Sequence, residues 1–270
     1  MELFIREMGQ GDTPVLALHC GLGQSGMWRG VFGDMPGVHV TAPDLPGHGK
    51  SPGFPEGVDV HDAATDAVRP LLSDGMHLVG HSFGATVALR LALEAPTRIR
   101  SLTLIEPVFF AAAPDGPVKA DHRAAEEGFF AIAQAGDGMA TAEEFNRLWG
   151  GGVPWAKFPE QVQQTMAAQM PFVFATEPSL WGDRAGMLRH GGLEALSCPV
   201  QLIRGGRTVP IIAQVHAGLL ARLPNARETV VDGAGHMLVL SHPQAVADGV
   251  TDLLARSGEA ERMPSPASLV

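Results

Sequence analysis

Apolar residues follow two rhythms along this chain. Short aliphatic, β-branched runs occur at Val15 to His19, Val38 to Thr41, His77 to Gly80, Leu102 to Ile105, Val200 to Ile203 and Glu228 to Val231, most of them bounded by glycine or proline. They read as buried strands. Between several of them the apolar positions take on a helical period, at Val58 to Ser73, Phe83 to Glu94, Ile211 to Leu223 and Pro243 to Ala255. Strand alternating with helix implies right-handed βαβ crossovers. The expected fold class is therefore α/β, with a mostly parallel central sheet and helices on both faces.

The rhythm breaks once. From about Pro107 to Ser197 the chain has helix-like patterns but no convincing strand, which predicts an inserted helical lid over one edge of the sheet. The expected organisation is a core of residues 1–106 and 198–256, a lid of 107–197 and a flexible tail of 257–270, where Pro264, Ser265, Pro266 and Ser268 suggest a frayed end. Three of the four tryptophans (Trp149, Trp155, Trp181) fall in the insertion with Phe129, Phe130, Phe158, Phe172, Phe174, Met166 and Met170. Such residues either hold lid helices together or line a pocket.

Composition narrows the function classes. At 270 residues and 28.4 kDa, one large domain carrying an insertion is as consistent as two small ones. A 45% hydrophobic fraction supplies ample core and excludes wholesale disorder. The formal charge is −10, from 19 basic and 29 acidic residues, and no Lys/Arg cluster occurs, which argues against nucleic acid or an anionic membrane as partner. Small-molecule substrates remain. Cys20 and Cys198 offer neither a disulfide framework nor a metal knuckle, so a reducing compartment fits. The start, Met1 to Gly11, lacks a cationic and apolar leader, and the stretch from Met76 to Leu89 is too short to span a bilayer. A cytoplasmic protein is expected. Its oligomeric state is not written in the sequence.

Three glycine-rich segments compete as the chemical centre. Gly21-Leu22-Gly23-Gln24-Ser25-Gly26 follows a strand and fits GxGxxG, and Asp44 lies where a ribose-binding acid could stand. Gly30, Gly33, Pro36 and Gly37 leave little room for the long helix that would hold a pyrophosphate. Gly47-His48-Gly49-Lys50-Ser51 imitates the end of a phosphate loop, yet Asp44 occupies the position that needs glycine, and its charge repels phosphate. The third, Gly80-His81-Ser82-Phe83-Gly84, sits between an apolar strand and a helical run, the context of a GxSxG nucleophile elbow. The strained turn presents Ser82, the glycines let neighbouring backbone pass, and the Phe83 N–H faces a developing oxyanion at a helix start.

Serine needs a base. His236, in Asp232-Gly233-Ala234-Gly235-His236, leaves the last predicted strand, and loops from the carboxyl ends of parallel strands converge at one edge. His81 adjoins the serine but points elsewhere on the turn, and the remaining histidines read as structural or solvated.

These residues resemble the α/β-hydrolase superfamily over nearly the whole chain. The matching features are His19-Cys20-Gly21 with Trp28 downstream, Asp44 to Ser51, the elbow Gly80 to Gly84, and Gly233-Ala234-Gly235-His236. The resemblance turns the GxGxxG match into an oxyanion loop, with the Gly21 N–H as second donor and Leu22 as a fallback, since Cys20 replaces the usual glycine. It also implies an acid in a G-x-x-D pattern after the strand at Val200 to Ile203, but the chain reads Gly205-Gly206-Arg207-Thr208. Some members of the superfamily, certain haloalkane dehalogenases among them, place the acid after the strand that follows the elbow helix. Glu106 stands there; Asp232 and an acid-less dyad are the alternatives.

The expectation is a serine esterase resembling esterases and lipases, in which Ser82 attacks, His236 shuttles the proton, Glu106 orients it, and Gly21 and Phe83 hold the oxyanion. The substrate would be a small or medium carboxylic ester, lactone or thioester, with Trp28, Trp149 and Trp181 as candidate contacts. No metal or organic cofactor is called for. Serine rather than aspartate at the elbow argues against epoxide and haloalkane hydrolysis. Hydrolysis of a carbon–carbon bond in a diketone-like substrate, and a non-catalytic ligand-binding relative, are the rival readings.

Overall fold

A computed structural model of the chain describes residues 1–262. Seven strands form one sheet: β1 (Ile5–Met8), β2 (Thr13–Leu18), β3 (Val38–Pro43), β4 (Met76–His81), β5 (Ile99–Ile105), β6 (Val200–Gly205) and β7 (Ala226–Val231). Their order is β1-β3-β2-β4-β5-β6-β7, parallel throughout except for β1, which runs antiparallel to β3. Six of these overlap the expected strands, β2 stopping at Leu18, one residue short of the expected His19. The seventh, β1, escapes notice in the sequence because it is a four-residue edge strand, Ile-Arg-Glu-Met, with only alternate positions half-buried.

The helices are α1 (Arg29–Phe32), α2 (Val60–Val68), α3 (Phe83–Glu94), α4 (Pro117–Gln134), α5 (Gly138–Trp149), α6 (Glu160–Ala175), α7 (Glu177–Leu180), α8 (Pro210–Leu220), α9 (Leu238–Ser241) and α10 (Pro243–Arg262). Side-chain alternation along β2 shows how the sheet sorts them. Leu16 and Leu18 face a core shared with α2, α3 and α8, while Val15 and Ala17 face a second core with Trp28, Phe32 and α10. α3 covers β4 and β5 with a side that is fully buried, so its sequence, Phe-Gly-Ala-Thr-Val-Ala-Leu, is apolar almost all round.

Residues 107–197 contain helices and no strand, with α4 to α7 as the main elements. α10 runs to Arg262, past the expected stop at Ala255 and into the region expected to be a tail; from Met263 on, that tail lies outside the described residues. Among the described residues, no helix is long and apolar enough to cross a membrane.

Candidate active site

The carboxyl ends of β4, β5 and β7 bring one hydroxyl, one carboxylate and one imidazole together. Ser82 follows β4 with φ 56° and ψ −118°, a conformation that costs a non-glycine residue about 1–3 kcal/mol and persists only where neighbours impose it. They do so here: Ser82 N–H donates to Ile105 O at 2.9 Å. A Cβ on Gly80 would stand 2.4 Å from Gly84 O, and one on Gly84 2.3 Å from His19 O. The two glycines of GxSxG are thus required by the approach of backbone to backbone.

Glu106 directly follows β5, fully buried, with φ 49°. Its Oε1 accepts the Gly205 N–H at 2.7 Å, and its Oε2 accepts both the Thr208 hydroxyl and His236 Nδ1, the latter at 2.9 Å. A carboxylate can be buried here because these donors replace its water. A carboxylate facing Nδ1 assigns the proton to that nitrogen, which leaves Nε2 as an acceptor for Ser82 Oγ–H at 3.0 Å. His236 is 5% exposed and Ser82 8%, so the line from serine to acid is buried. His236 Nδ1 pairs with Glu106, and among the described residues no hydrogen bond joins it to Asp232.

The loop that carries His236 is itself held from β4. His81 Nε2–H donates to His236 O at 2.9 Å, with the two rings 5.1 Å apart. Burial, reinforced by His236 nearby, pushes the His81 pKa down to about 3, so the ring is a neutral donor.

Gly21 and Phe83 line the cavity beside Ser82, and among the described residues neither N–H has an acceptor. Leu22 is not a substitute donor: its N–H is spent on His48 Nε2 at 3.1 Å, while His48 Nδ1–H donates to Pro46 O. The loop is pinned at further points. His19, its pKa lowered to about 3 by burial and by His48, donates to Cys20 O and accepts Leu45 N–H. Asp44 accepts the amides of Ser25 and Lys50; burial opposes its ionisation, but these bonds hold its carboxyl below the usual range. Asp44 therefore belongs to this clasp, not to a ribose. Cys20, its thiol pushed up to about 12 by burial, is no nucleophile.

A cavity of about 690 Å³ opens above Ser82. The core lends it Gly21, Phe83 and His236, and the insertion encloses it with Phe110, Phe129, Trp149 and Trp181 among others. Trp149 meets His236 edge to face at 4.7 Å. Gly21 lacks a Cβ where Phe172 presses in, since one would stand 2.9 Å from that ring. Two of the three candidate tryptophans, Trp149 and Trp181, line this space. Trp28 does not: it is fully buried against Phe32 in the core on one face of the sheet, where its indole fills the gap between α1 and the strands. The i, i+4 pair Trp28 and Phe32 is the one local sign of a core-facing turn.

Sequence reasoning does not reach Thr208, although it stands where the G-x-x-D pattern expects the acid. Nor does it single out Glu126 and Glu177, two carboxylates on the cavity wall within the aromatic insertion.

A family model described as the alpha/beta hydrolase family matches residues 15–249. A pimeloyl-[acyl-carrier protein] methyl ester esterase of Aeromonas hydrophila subsp. hydrophila is 32% identical over 252 residues, covering 90% of this chain and 96% of the relative. The enzyme of the same description from Chromobacterium violaceum is 33% identical over 260 residues, covering 90% and 94%. Among solved structures, a bromoperoxidase from Bacillus anthracis superposes with a TM-score of 0.71 over 94% of this chain and 95% of its own, at 20% identity, a likeness of fold alone.

Proposed function

The chain belongs to the alpha/beta hydrolase family, and we propose that within it the protein is a serine carboxylic ester hydrolase working through an acyl-enzyme. One observation carries the reading: His236 bridges Ser82 Oγ at 3.0 Å and Glu106 Oε2 at 2.9 Å in a single buried line. Ser82 Oγ attacks the ester carbonyl while its proton passes to His236 Nε2. The oxyanion is held by the N–H groups of Gly21 and Phe83, the latter at the positive end of α3. Collapse breaks the carbon–oxygen bond of the ester, and the departing alkoxide takes the proton from His236. Water, deprotonated in turn by His236, then adds to the acyl carbonyl, and a second collapse returns the proton to Ser82 and frees the acid. Glu106 keeps its charge throughout and stabilises the imidazolium.

Residues 107–197 act in this scheme as a lid that encloses the acyl group, a role supported by the share of the cavity wall they supply. The names of the relatives support a methyl or similarly small ester on an acyl chain as substrate. A cytoplasmic location belongs to the same proposal, supported by two buried, unpaired cysteines.

The test is hydrolysis of p-nitrophenyl and methyl acyl esters by wild type and Ser82→Ala, with fluorophosphonate labelling of the intact protein. Loss of turnover by about six orders of magnitude and a label on Ser82 are expected. Hydrolysis persisting in the variant would refute the nucleophile.

A further inference from the structure

One corner of the cavity is ill suited to a purely apolar acyl group. Glu126, on α4, and Glu177, opening α7, line it, and no lysine or arginine does among the described residues. Glu177 is already compensated, because Arg123 Nη2 donates to its Oε1 at 2.8 Å while the guanidinium lies 4.9 Å from the centre of the Trp181 ring. Glu126 differs. Its Oε2 accepts the neutral Trp181 Nε1–H at 2.6 Å. Its Oε1 has His122 Nε2 at 3.5 Å, outside hydrogen-bond geometry, and that nitrogen has no hydrogen-bond partner among the described residues although His122 is only 6% exposed.

A carboxylate offers about four acceptor directions; Glu126 shares the cavity wall with Phe110, Trp149 and Trp181, and these rings pack on its neighbour His122. Carboxylates set among aromatic rings are unfavourable unless a donor or cation meets them. Trp149 touches both His122 and His236, so this corner lies one indole away from the acyl-transfer machinery. We infer that Glu126 is the binding site for a positively charged N–H donor of the substrate, an alkylammonium on the acyl chain remote from the ester carbonyl. The carboxylate supplies charge-assisted hydrogen bonds, and the Trp149 ring on the same cavity wall supplies a flat, electron-rich face of the kind cations favour, the Trp181 ring being already engaged by Arg123. An acyl chain ending in a carboxylate meets repulsion at the same place. This assignment rests on the esterase reading for which end of the substrate faces Ser82.

The experiment compares p-nitrophenyl esters of 6-aminohexanoate, heptanoate and adipate (as its monoester), matched in length and differing in the terminal group. Wild type should favour the ammonium ester over heptanoate by about tenfold or more in kcat/KM, as a hydrogen bond to a charged group warrants, with the adipate monoester the poorest. Glu126→Gln should bring the ammonium-to-heptanoate ratio to about one, chiefly through KM, and Glu126→Asp should restore part of it. Both esters meet the same preparation, so a partly misfolded variant leaves the ratio unmoved. A preference for heptanoate in wild type, or an unchanged ratio in Glu126→Gln, overturns the inference. A second readout needs no turnover: hexylammonium titrated against tryptophan fluorescence in Ser82→Ala, with and without Glu126→Gln. A Kd weaker by about tenfold with Glu126→Gln is expected, and equal Kd values overturn the inference whatever the esters show. Hydrolysis surviving in Ser82→Ala counts against the esterase reading instead, and the amine titration still decides the role of Glu126.

Discussion

Gly84, in the core, has no room for one more carbon, since His19 O and Leu18 O would lie 2.3 and 2.4 Å from its Cβ; Gly116 and Gly128, in the insertion, would meet nothing within 4 Å. The contrast extends to how the two regions meet the substrate cavity. Core residues arrive there through backbone: Ser82 by a strained turn tied to Ile105 O, Glu106 by a strand end tied to Ile203 O, His236 by a loop whose carbonyl is held by His81. The inserted helices arrive through side chains, as aromatic rings and two carboxylates standing on α4 to α7. A backbone-built site tolerates little displacement, which suits chemistry that needs reacting atoms within hydrogen-bond reach. A wall built of side chains can be refitted one residue at a time, which suits selectivity.

The hardest test of this division is Glu106→Gln. It should lower kcat by up to about 10⁴-fold, as loss of the tautomer-fixing acid does in the Ser-His-Asp template, and it should do so equally for esters of every chain length while thermal melting shows an intact fold. A loss that depended on the acyl group would break the assignment of chemistry to the core alone.

Acid provides the next. His19 and His81 have pKa values lowered to about 3, and His61 and His77 to about 4, burial being the main cause in each case. All four belong to the core. Unfolding frees each to bind a proton below its ordinary value near 6.5, so the unfolded state holds more protons as pH falls. Folding stability should therefore be full above pH 6.5 and decline from there towards pH 4 to 3, by about 1.4 kcal/mol per pH unit for each imidazole. Urea midpoints at pH 7 and pH 5 measure this, and equal midpoints would show that these rings titrate freely in the folded state.

The mildest effect is expected in the insertion. Phe130→Ala, on a cavity-lining ring of α4 that is half-buried against Phe129 and Phe174, should change KM by about threefold to tenfold, the worth of part of an apolar contact. The change should re-rank acyl esters by length and leave the fluorophosphonate labelling rate of Ser82 within about twofold. A uniform loss across esters would erase the contrast between the regions.

Much of the core is legible in the order of its residues. The runs at Leu78-Val79 and Leu102 to Ile105 mark strands because a parallel strand buried on both faces is apolar at nearly every position, Thr103 being the exception here. The helical pattern from Phe83 to Glu94 coincides with α3, because the elbow glycines fix where the turn ends. β1 leaves no such run, being a half-exposed edge strand of four residues. Trp28 misleads as a substrate contact because a tryptophan fills a core as readily as it lines a pocket, and its spacing to Phe32 marks only which side of one turn is apolar.

Residue identity and local order are thus enough to determine the α/β class, the serine on its turn and the histidine on its glycine-rich loop, because each leaves its mark within a few neighbouring positions. The fold decided among the acids the sequence left open by bringing Glu106 to His236, and it alone decided that Thr208 steadies that acid in place of being one and that Glu126 lines the cavity. Those contacts join residues about a hundred positions apart along the chain, or depend on which way a helix turns, and no local pattern of side chains encodes either.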